Sequence, residues 1–392
     1  GDEKPECYDW AKEGECTENT DYMIQYCPKS CNICRDGYVI KFPWIDMEGY
    51  SLFRKSEIQY LPAMTKEREK VRKIIQGTVL YLSEIVRFLG PEKLYSCLDL
   101  KEECAYWASN GECMDNPDFM LLQCPQSCRS CEKLDASVRC PIKETATPAY
   151  ENGEMNAMFQ QIANGKLNKY NPNILFRPIG NHENDDEKDE FPWIITFDDF
   201  LTEEECEILI AHGNEIGYER SLNAEEELAD GTFSDGVDEE RTSVNSWCED
   251  NCHNDPRVQS IYRKIEEITG VSEAHFEHLQ ILRYEEGQFY GEHHDYMSYQ
   301  TRKPCGPRIL TFFMYLSDVE LGGGTNFPTL ELEVKPKRGK ALLWPNVADG
   351  QWDEAHWWTD HEALPVERGL KYAANAWIHL YNFKEPHRNG CS

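Results

Sequence analysis

YEEGQFYGEHHD at residues 284–295 and HEALPVERGLK at residues 361–371 are the two strings on which the fold of this chain turns. In the first, His293 and Asp295 stand two apart, so on a strand both side chains leave the same face and can reach one ion, while His294 points the other way. Two histidines and one carboxylate leave three coordination positions open. That set suits non-haem Fe(II), because a bidentate oxoacid and then dioxygen can enter. The remaining ligand must come from elsewhere in the chain; His361 leads and His356 competes.

Around these strings the chain breaks into short β-rich runs: LQILRYEE, GEHHDYM, RILTFFMYLSD, GTNFP, LELEVKP, GKALLWPN, HWWTDHEAL and LKYAANAWIHLYNF. Such a succession after a helical lead predicts a sandwich or barrel-like sheet with helices on one side. The lead is FPWIITFDDFLTEEECEILIAHGNEIG at 191–217. It reads as a strand, a cap at Thr202 and a helix turning Ile208, Leu209, Ile210 and Ala211 toward a core. Upstream, a short helix is expected around Glu154–Ala163, and the polar run NHENDDEKDE at 181–190 as an exposed loop. The acidic, aperiodic stretch at 222–240 and the segment 297–307 are candidate lids over a substrate. Residues 65–90 carry Val71, Ile74, Ile75, Val79, Leu82, Ile85, Val86 and Leu89 at helical spacing, which predicts one amphipathic helix or a broken pair packed on a neighbouring domain.

The chain has 17 cysteines, many of them in two clusters with a shared rhythm. Cys7, Cys16, Cys27, Cys31 and Cys34 are separated by 9, 11, 4 and 3 positions, and Cys104, Cys113, Cys124, Cys128 and Cys131 repeat those intervals after an additional Cys97. The intervening texts match as well, so this is an internal repeat, and its cysteine density argues for an oxidising compartment. Neither cluster contains a histidine, which favours disulfides over zinc. Asp and Glu total 71 against 40 Lys and Arg, a formal charge of −31, and no basic patch marks a nucleic-acid surface. No apolar run is long enough to span a membrane, and Gly1 begins without a signal peptide, so any leader or anchor is expected to be already absent.

The cysteine unit resembles the ShK-toxin-like module. That resemblance implies the pairs Cys97–Cys131, Cys104–Cys124 and Cys113–Cys128, and in the first copy Cys7–Cys27 and Cys16–Cys31. The partner that Cys34 would need falls just before Gly1, so Cys34 is expected to be a free, capped or interchain thiol. The strings at 284–295 and 361–371 resemble the prolyl 4-hydroxylase signature, Y-x-x-G-x-x-Y-x-x-H-x-D followed by H-x-x-x-P-V-x-x-G-x-K. The resemblance covers roughly residues 190–385. It implies a double-stranded β-helix (jelly roll) in an α+β chain, with His293, Asp295 and His361 holding iron. It also makes Lys371 the partner of the distal carboxylate of 2-oxoglutarate, with the hydroxyls of Tyr284 and Thr325 assisting. Arg308 and His379 would face the peptide, with Arg241, Ser243 and Trp247 beside the groove and Trp377 either core or wall.

The expected organisation is an ShK-like module at 1–35, a helical region at 36–95, a second module at 96–132, a linker and support at 133–190, the oxygenase domain at 191–386 and a tail at 387–392. The activity implied is hydroxylation of peptidyl proline at C4 with Fe(II), 2-oxoglutarate and dioxygen, releasing succinate and carbon dioxide, with ascorbate as a further cofactor. The partner is a proline-containing peptide or protein of the procollagen kind, met in the endoplasmic reticulum, the Golgi lumen or outside the cell. Rival readings are an oxygenase acting on another side chain such as lysine, a secreted ShK-type binding protein with an inactive oxygenase scaffold, and a zinc hydrolase, which would leave Lys371 without a role.

Overall fold

The structure is a computed structural model. It describes residues 66–143, 145–178, 191–221 and 240–391, scattered parts of the first 39 residues, and the backbone of 223–227 and 233–236. The polar run at 181–190 and parts of the acidic stretch at 222–240 lie outside the described residues; within that stretch Asn223–Glu227 and Phe233–Gly236 pair antiparallel as two strands. Two compact units divide the chain, one formed by residues 1–141 with 388–390 and the other by 142–387 with 391–392.

In the first unit the helix Lys66–Ser96 is continuous. Its inward stripe sets Val71 and Ile75 against Ala105 of the second cysteine module. Polar pins complete the joint: the Tyr81 hydroxyl donates to Glu132 and accepts from the Cys131 amide, and Thr78 donates to the Gln126 carbonyl. That module is closed by Cys97–Cys131, Cys104–Cys124 and Cys113–Cys128 around Met120. In the first module Cys7–Cys27 is present. Cys16, Cys31 and the side chain of Cys34 lie outside the described residues.

The second unit begins at Ile142, so the segment assigned to linker and support contributes structure of its own. The helix Glu154–Ala163 buries Met155, Met158, Phe159 and Ile162, and strand β1 (Pro172–Phe176) edges the main sheet. There follow β2 (Ile194–Phe197), β3 (Glu219–Arg220), β4 (Val244–Cys248), β5 (Leu279–Tyr284), β6 (Tyr290–His293), β7 (Arg308–Tyr315), β8 (Thr325–Phe327), β9 (Leu332–Val334), β10 (Ala341–Pro345), β11 (His361–Ala363) and β12 (Lys371–His379). All eight β-rich runs read from the sequence contain a strand. The large sheet has the order β1-β2-β10-β7-β12-β5-β4-β3 and the small one β6-β11-β8-β9, every pairing antiparallel. This is the double-stranded β-helix.

The period of two in the large sheet separates packing from chemistry. Leu310, Phe312 and Met314 of β7, Ile281 of β5, and Ala374, Ala376 and Ile378 of β12 join one core with the helices. The alternate residues Phe313, Tyr315, Leu282, Tyr284 and Ala373 face the space between the sheets. All of β7 is buried because both faces are covered, as a central strand requires.

The helix Glu203–Ile216 starts in a capping box between Thr202 and Glu205, and turns Cys206, Leu209 and Gly213 inward. Ala211, expected in the core, is exposed instead, because a turn of 3.6 residues carries it past the buried stripe. The helix Pro256–Thr269, capped by Asp255 and stopped at Gly270, covers the same face with Val258, Ile261, Tyr262, Ile265 and Ile268. Each such aliphatic side chain stabilises by roughly 1.5–3 kcal/mol on burial. Gly322, at φ 76°, is demanded by a close approach: a Cβ there would lie 2.3 Å from the Pro365 carbonyl oxygen. Thus the Pro365-Val366 pair seats the glycine turn that delivers Thr325.

Candidate active site

His293 ends β6 and Asp295 lies in the bend that follows, so their convergence is not the simple strand alternation expected from their spacing. The chain turns out of the sheet after His293, and the bend carries Asp295 back over the barrel mouth. His361 starts β11 and pairs across the small sheet with His293. The His293 Nε2 is 3.9 Å from Asp295 Oδ1, and the His361 Nε2 is 3.7 Å from Asp295 Oδ2. One donor atom of each residue falls within 4.8 Å of the others.

Each imidazole is aimed by its far nitrogen. His293 Nδ1 lies 2.8 Å from the Gly291 carbonyl and His361 Nδ1 lies 2.9 Å from the Thr359 carbonyl, which directs both Nε2 lone pairs inward. Thr311 donates to Asp295 Oδ2 at 2.6 Å, and Asn346 Nδ2 donates to Thr311 at 3.0 Å. Tyr290 stacks on the His293 ring at 3.6 Å between centroids, and Trp344 meets His361 edge-on at 4.8 Å. Burial, helped by His361, pushes His293 down to about 3, so its ring is neutral and its lone pair available. Burial opposes ionisation of Asp295, but His361 and His293 beside it prevail and hold the carboxyl down to about 2.

His356 does not join this set. Its carbonyl meets the His294 Nε2 at 3.2 Å, and His294 also reaches the Thr359 hydroxyl at 3.1 Å, so His294 braces the loop leading to His361.

Deeper between the sheets lies Lys371, completely buried, with no hydrogen-bond partner for its Nζ among the described residues. Its register partner is Tyr284, whose ring centroid is 4.9 Å from the ammonium, with Phe313 at 5.6 Å. Burial alone pushes Lys371 down to about 7. Thr325 accepts from the Tyr315 hydroxyl at 2.7 Å.

A cleft of about 770 Å³ opens over the three ligands. Arg241, Trp247, Tyr299, Arg308 and Trp377 line it, so Trp377 is wall as well as core. The Arg308 guanidinium lies 3.8 Å from the Trp377 ring centroid and is paired with buried Glu277 through two contacts, at 2.5 and 3.1 Å. Arg241 stacks on Tyr290 at 4.5 Å.

Two residues expected at the groove are elsewhere. His379 is fully buried, its Nε2 2.8 Å from Glu277 and its Nδ1 2.7 Å from the Gly306 carbonyl, so it anchors Arg308 from behind rather than facing a peptide. Ser243 is fully buried against Ser221. From the other segment expected as a lid, Met297 and Tyr299 reach the cleft wall, while Gln300 and Cys305 are buried. Sequence reasoning missed Thr311, Asn346 and Glu277. Thr311 and Asn346 are single polar residues in apolar runs, Thr311 in RILTFFMY being the clearest signal available, whereas Glu277 in AHFEHLQ stands among other polar residues.

A family model described as the 2OG-Fe(II) oxygenase superfamily matches residues 279–379, and the model for ShK domain-like modules matches 1–34 and 96–131. Fe(II) and 2-oxoglutarate are the metal and cosubstrate this implies. The His-Asp-His donor set fits the first, and an orphaned buried ammonium beside it fits a carboxylate of the second. Among curated proteins the chain is 33% identical over 218 residues to prolyl 4-hydroxylase subunit alpha-2 of Gallus gallus, covering 53% of this chain and 37% of that one. It is 33% identical over 215 residues to probable prolyl 4-hydroxylase 10 of Arabidopsis thaliana, covering 49% of this chain and 71% of that one. A solved viral collagen prolyl hydroxylase from Paramecium Bursaria Chlorella virus-1 is 29% identical, over 47% of this chain and 95% of its own, with a TM-score of 0.38. The chain belongs to the prolyl 4-hydroxylase family. It spans 37% of the length of the Gallus gallus alpha subunit.

Proposed function

We propose that this chain hydroxylates peptidyl proline at C4, on proline-rich segments of the procollagen kind within the secretory pathway. The observation that carries the reading is Lys371, a buried ammonium with no hydrogen-bond partner among the described residues, beside an intact facial ligand set. An uncompensated buried charge is costly, and a dicarboxylate cosubstrate relieves it. An inactive scaffold would have no use for either feature, and a zinc hydrolase would have none for Lys371.

When bound, Fe(II) would activate dioxygen as the oxidant, with 2-oxoglutarate as co-reductant: one oxygen atom ends in succinate, the other in the hydroxyl group, and the C1 carboxylate leaves as carbon dioxide. The chain's own groups do the rest. His293, Asp295 and His361 hold the metal on one face, and Thr311 fixes the Asp295 carboxylate. Lys371 takes the distal carboxylate, with the Tyr284 and Thr325 hydroxyls as further donors. Trp247, Tyr299 and Trp377 give the cleft aromatic walls, which suit a proline ring and an extended proline-rich backbone. Arg308 is kept charged and immobile by Glu277, ready to donate to a peptide carbonyl.

The disulfides of both modules agree with an oxidising compartment, and among the described residues no helix is long and apolar enough to cross a membrane. The test is succinate formation from 2-oxoglutarate in the presence of proline-rich and lysine-bearing peptides, with mass spectrometry of the products. One oxygen gained on proline, together with peptide-dependent succinate, is the expected result. Oxygen on lysine, or no turnover by the iron-loaded chain, would overturn the reading.

A further inference from the structure

A second constellation of metal-ligating side chains stands apart from the iron ligands. Glu249, His278 and His387 each present a donor atom within 4.8 Å of the others. They share the wall of a smaller cavity of about 280 Å³ with Trp247, Tyr299 and Arg308, all three of which also line the main cleft.

Their supports are firm. Glu249 sits inside the short loop closed by the Cys248–Cys252 disulfide, His278 directly precedes β5, and His387 ends the helix Lys384–His387. His387 Nε2 is 4.0 Å from Glu249 Oε1, and the rings of His278 and His387 are 5.7 Å apart. The His278 ring bonds the Cys248 backbone, and its Nδ1 lies 3.1 Å from the Lys384 ammonium. That nitrogen is therefore an acceptor aimed at a cation.

We propose that Glu249, His278 and His387 form a second cation site, for a zinc-class divalent metal that takes the place of the Lys384 ammonium at His278. Two imidazoles and one carboxylate select a borderline-soft ion over calcium or magnesium. Bonds of about 2.0–2.1 Å to a tetrahedral ion need donors drawn in to roughly 3.3 Å from one another. Glu249, exposed, and His387, partly exposed, have room to make that closure. The ion would tie the last helix to the disulfide loop beside Trp247 and Arg308, fixing one wall of the cleft. This inference does not depend on which residue the enzyme hydroxylates.

The test is Zn²⁺ titration of the full, oxidised, chelator-stripped chain, with Co²⁺ absorption as a reporter of the ligand field. The unmodified chain should bind two ions. The pair His293→Ala/His361→Ala and the pair His278→Ala/His387→Ala should each keep one, and all four changes together none. Lys384→Met should tighten the second site at least threefold, because a competing cation is gone; a merely structural cluster would not respond. His387→Gln, at the surface, provides the same loss of one ion should a double variant fold poorly. Two ions retained by His387→Gln and by the His278/His387 pair, or none retained by the His293/His361 pair, would overturn the second site. Failure of the iron-site reading shows separately, as an unchanged ion count after the His293/His361 change.

Discussion

Lys371 is the residue whose environment makes the sharpest demand. Its folded value of about 7 lies below the ordinary lysine value of 10.5, so between those limits the unfolded chain carries more protons and stability rises with pH. Below about pH 7 both states are protonated and the penalty is constant. Lys371→Met should therefore stabilise the ligand-free chain, on the order of a few kcal/mol below pH 7, with the gain vanishing towards pH 10. Denaturant melts at pH 6.5, 8 and 9.5 check this; equal gains at all three would contradict the buried charge. Binding of 2-oxoglutarate should take up a proton above pH 7, measurable by calorimetry in buffers of different ionisation enthalpy. Thr311→Val leaves the shape of the side chain but removes the bond to Asp295. It should weaken Fe(II) roughly 10- to 100-fold, read by metal titration, with the far-UV spectrum unchanged.

At the scale of elements, the ligands and Lys371 were legible because their spacing is local and their side chains have few other reasons to recur together. The β-rich runs were legible for the same reason. The position of Asp295 was not, since a two-residue spacing cannot say whether the strand continues. Glu277 and His379 were opaque because their partners are distant in sequence: Arg308 on β7 and Glu277, just before β5, meet only when both strands pair with β12 between them. Burial opposes the charge on Glu277, yet Arg308 and His379 hold it down to about 2. Glu277→Gln should thus destabilise by about 3–5 kcal/mol through an unpaired buried guanidinium, seen as a lower urea midpoint. In the first unit, Tyr81→Phe removes two hydrogen bonds that join the helix Lys66–Ser96 to the second module. A loss of about 1–3 kcal/mol follows, read as faster amide exchange near Cys131; no change would mean that Val71, Ile75 and Thr78 hold the joint without it.

On the scale of the whole molecule, the two units are built on different principles. The second cysteine module has three cross-links around a small core, whereas the catalytic unit has a large apolar interior on both sides of its main sheet. Mild reduction should therefore unfold the module, where removing native disulfides from so small a domain typically costs about 2–5 kcal/mol, and leave the sheet of the catalytic unit standing. Alkylation mapped by mass spectrometry would show labelled Cys104 and Cys124 before labelled Cys206 or Cys305, the two buried free thiols among the described residues. The alternation in β7 and β12 has a further consequence for how such a chain can change over generations. Thr311 on one parity serves the metal, Phe312 on the other serves the helices, and the two messages are interleaved in one text. Losing a single residue from either strand would exchange the messages, putting hydroxyl and ammonium into the oily layer and aliphatics into the catalytic chamber. Length changes tolerated in these strands should come in twos, like frame-preserving edits.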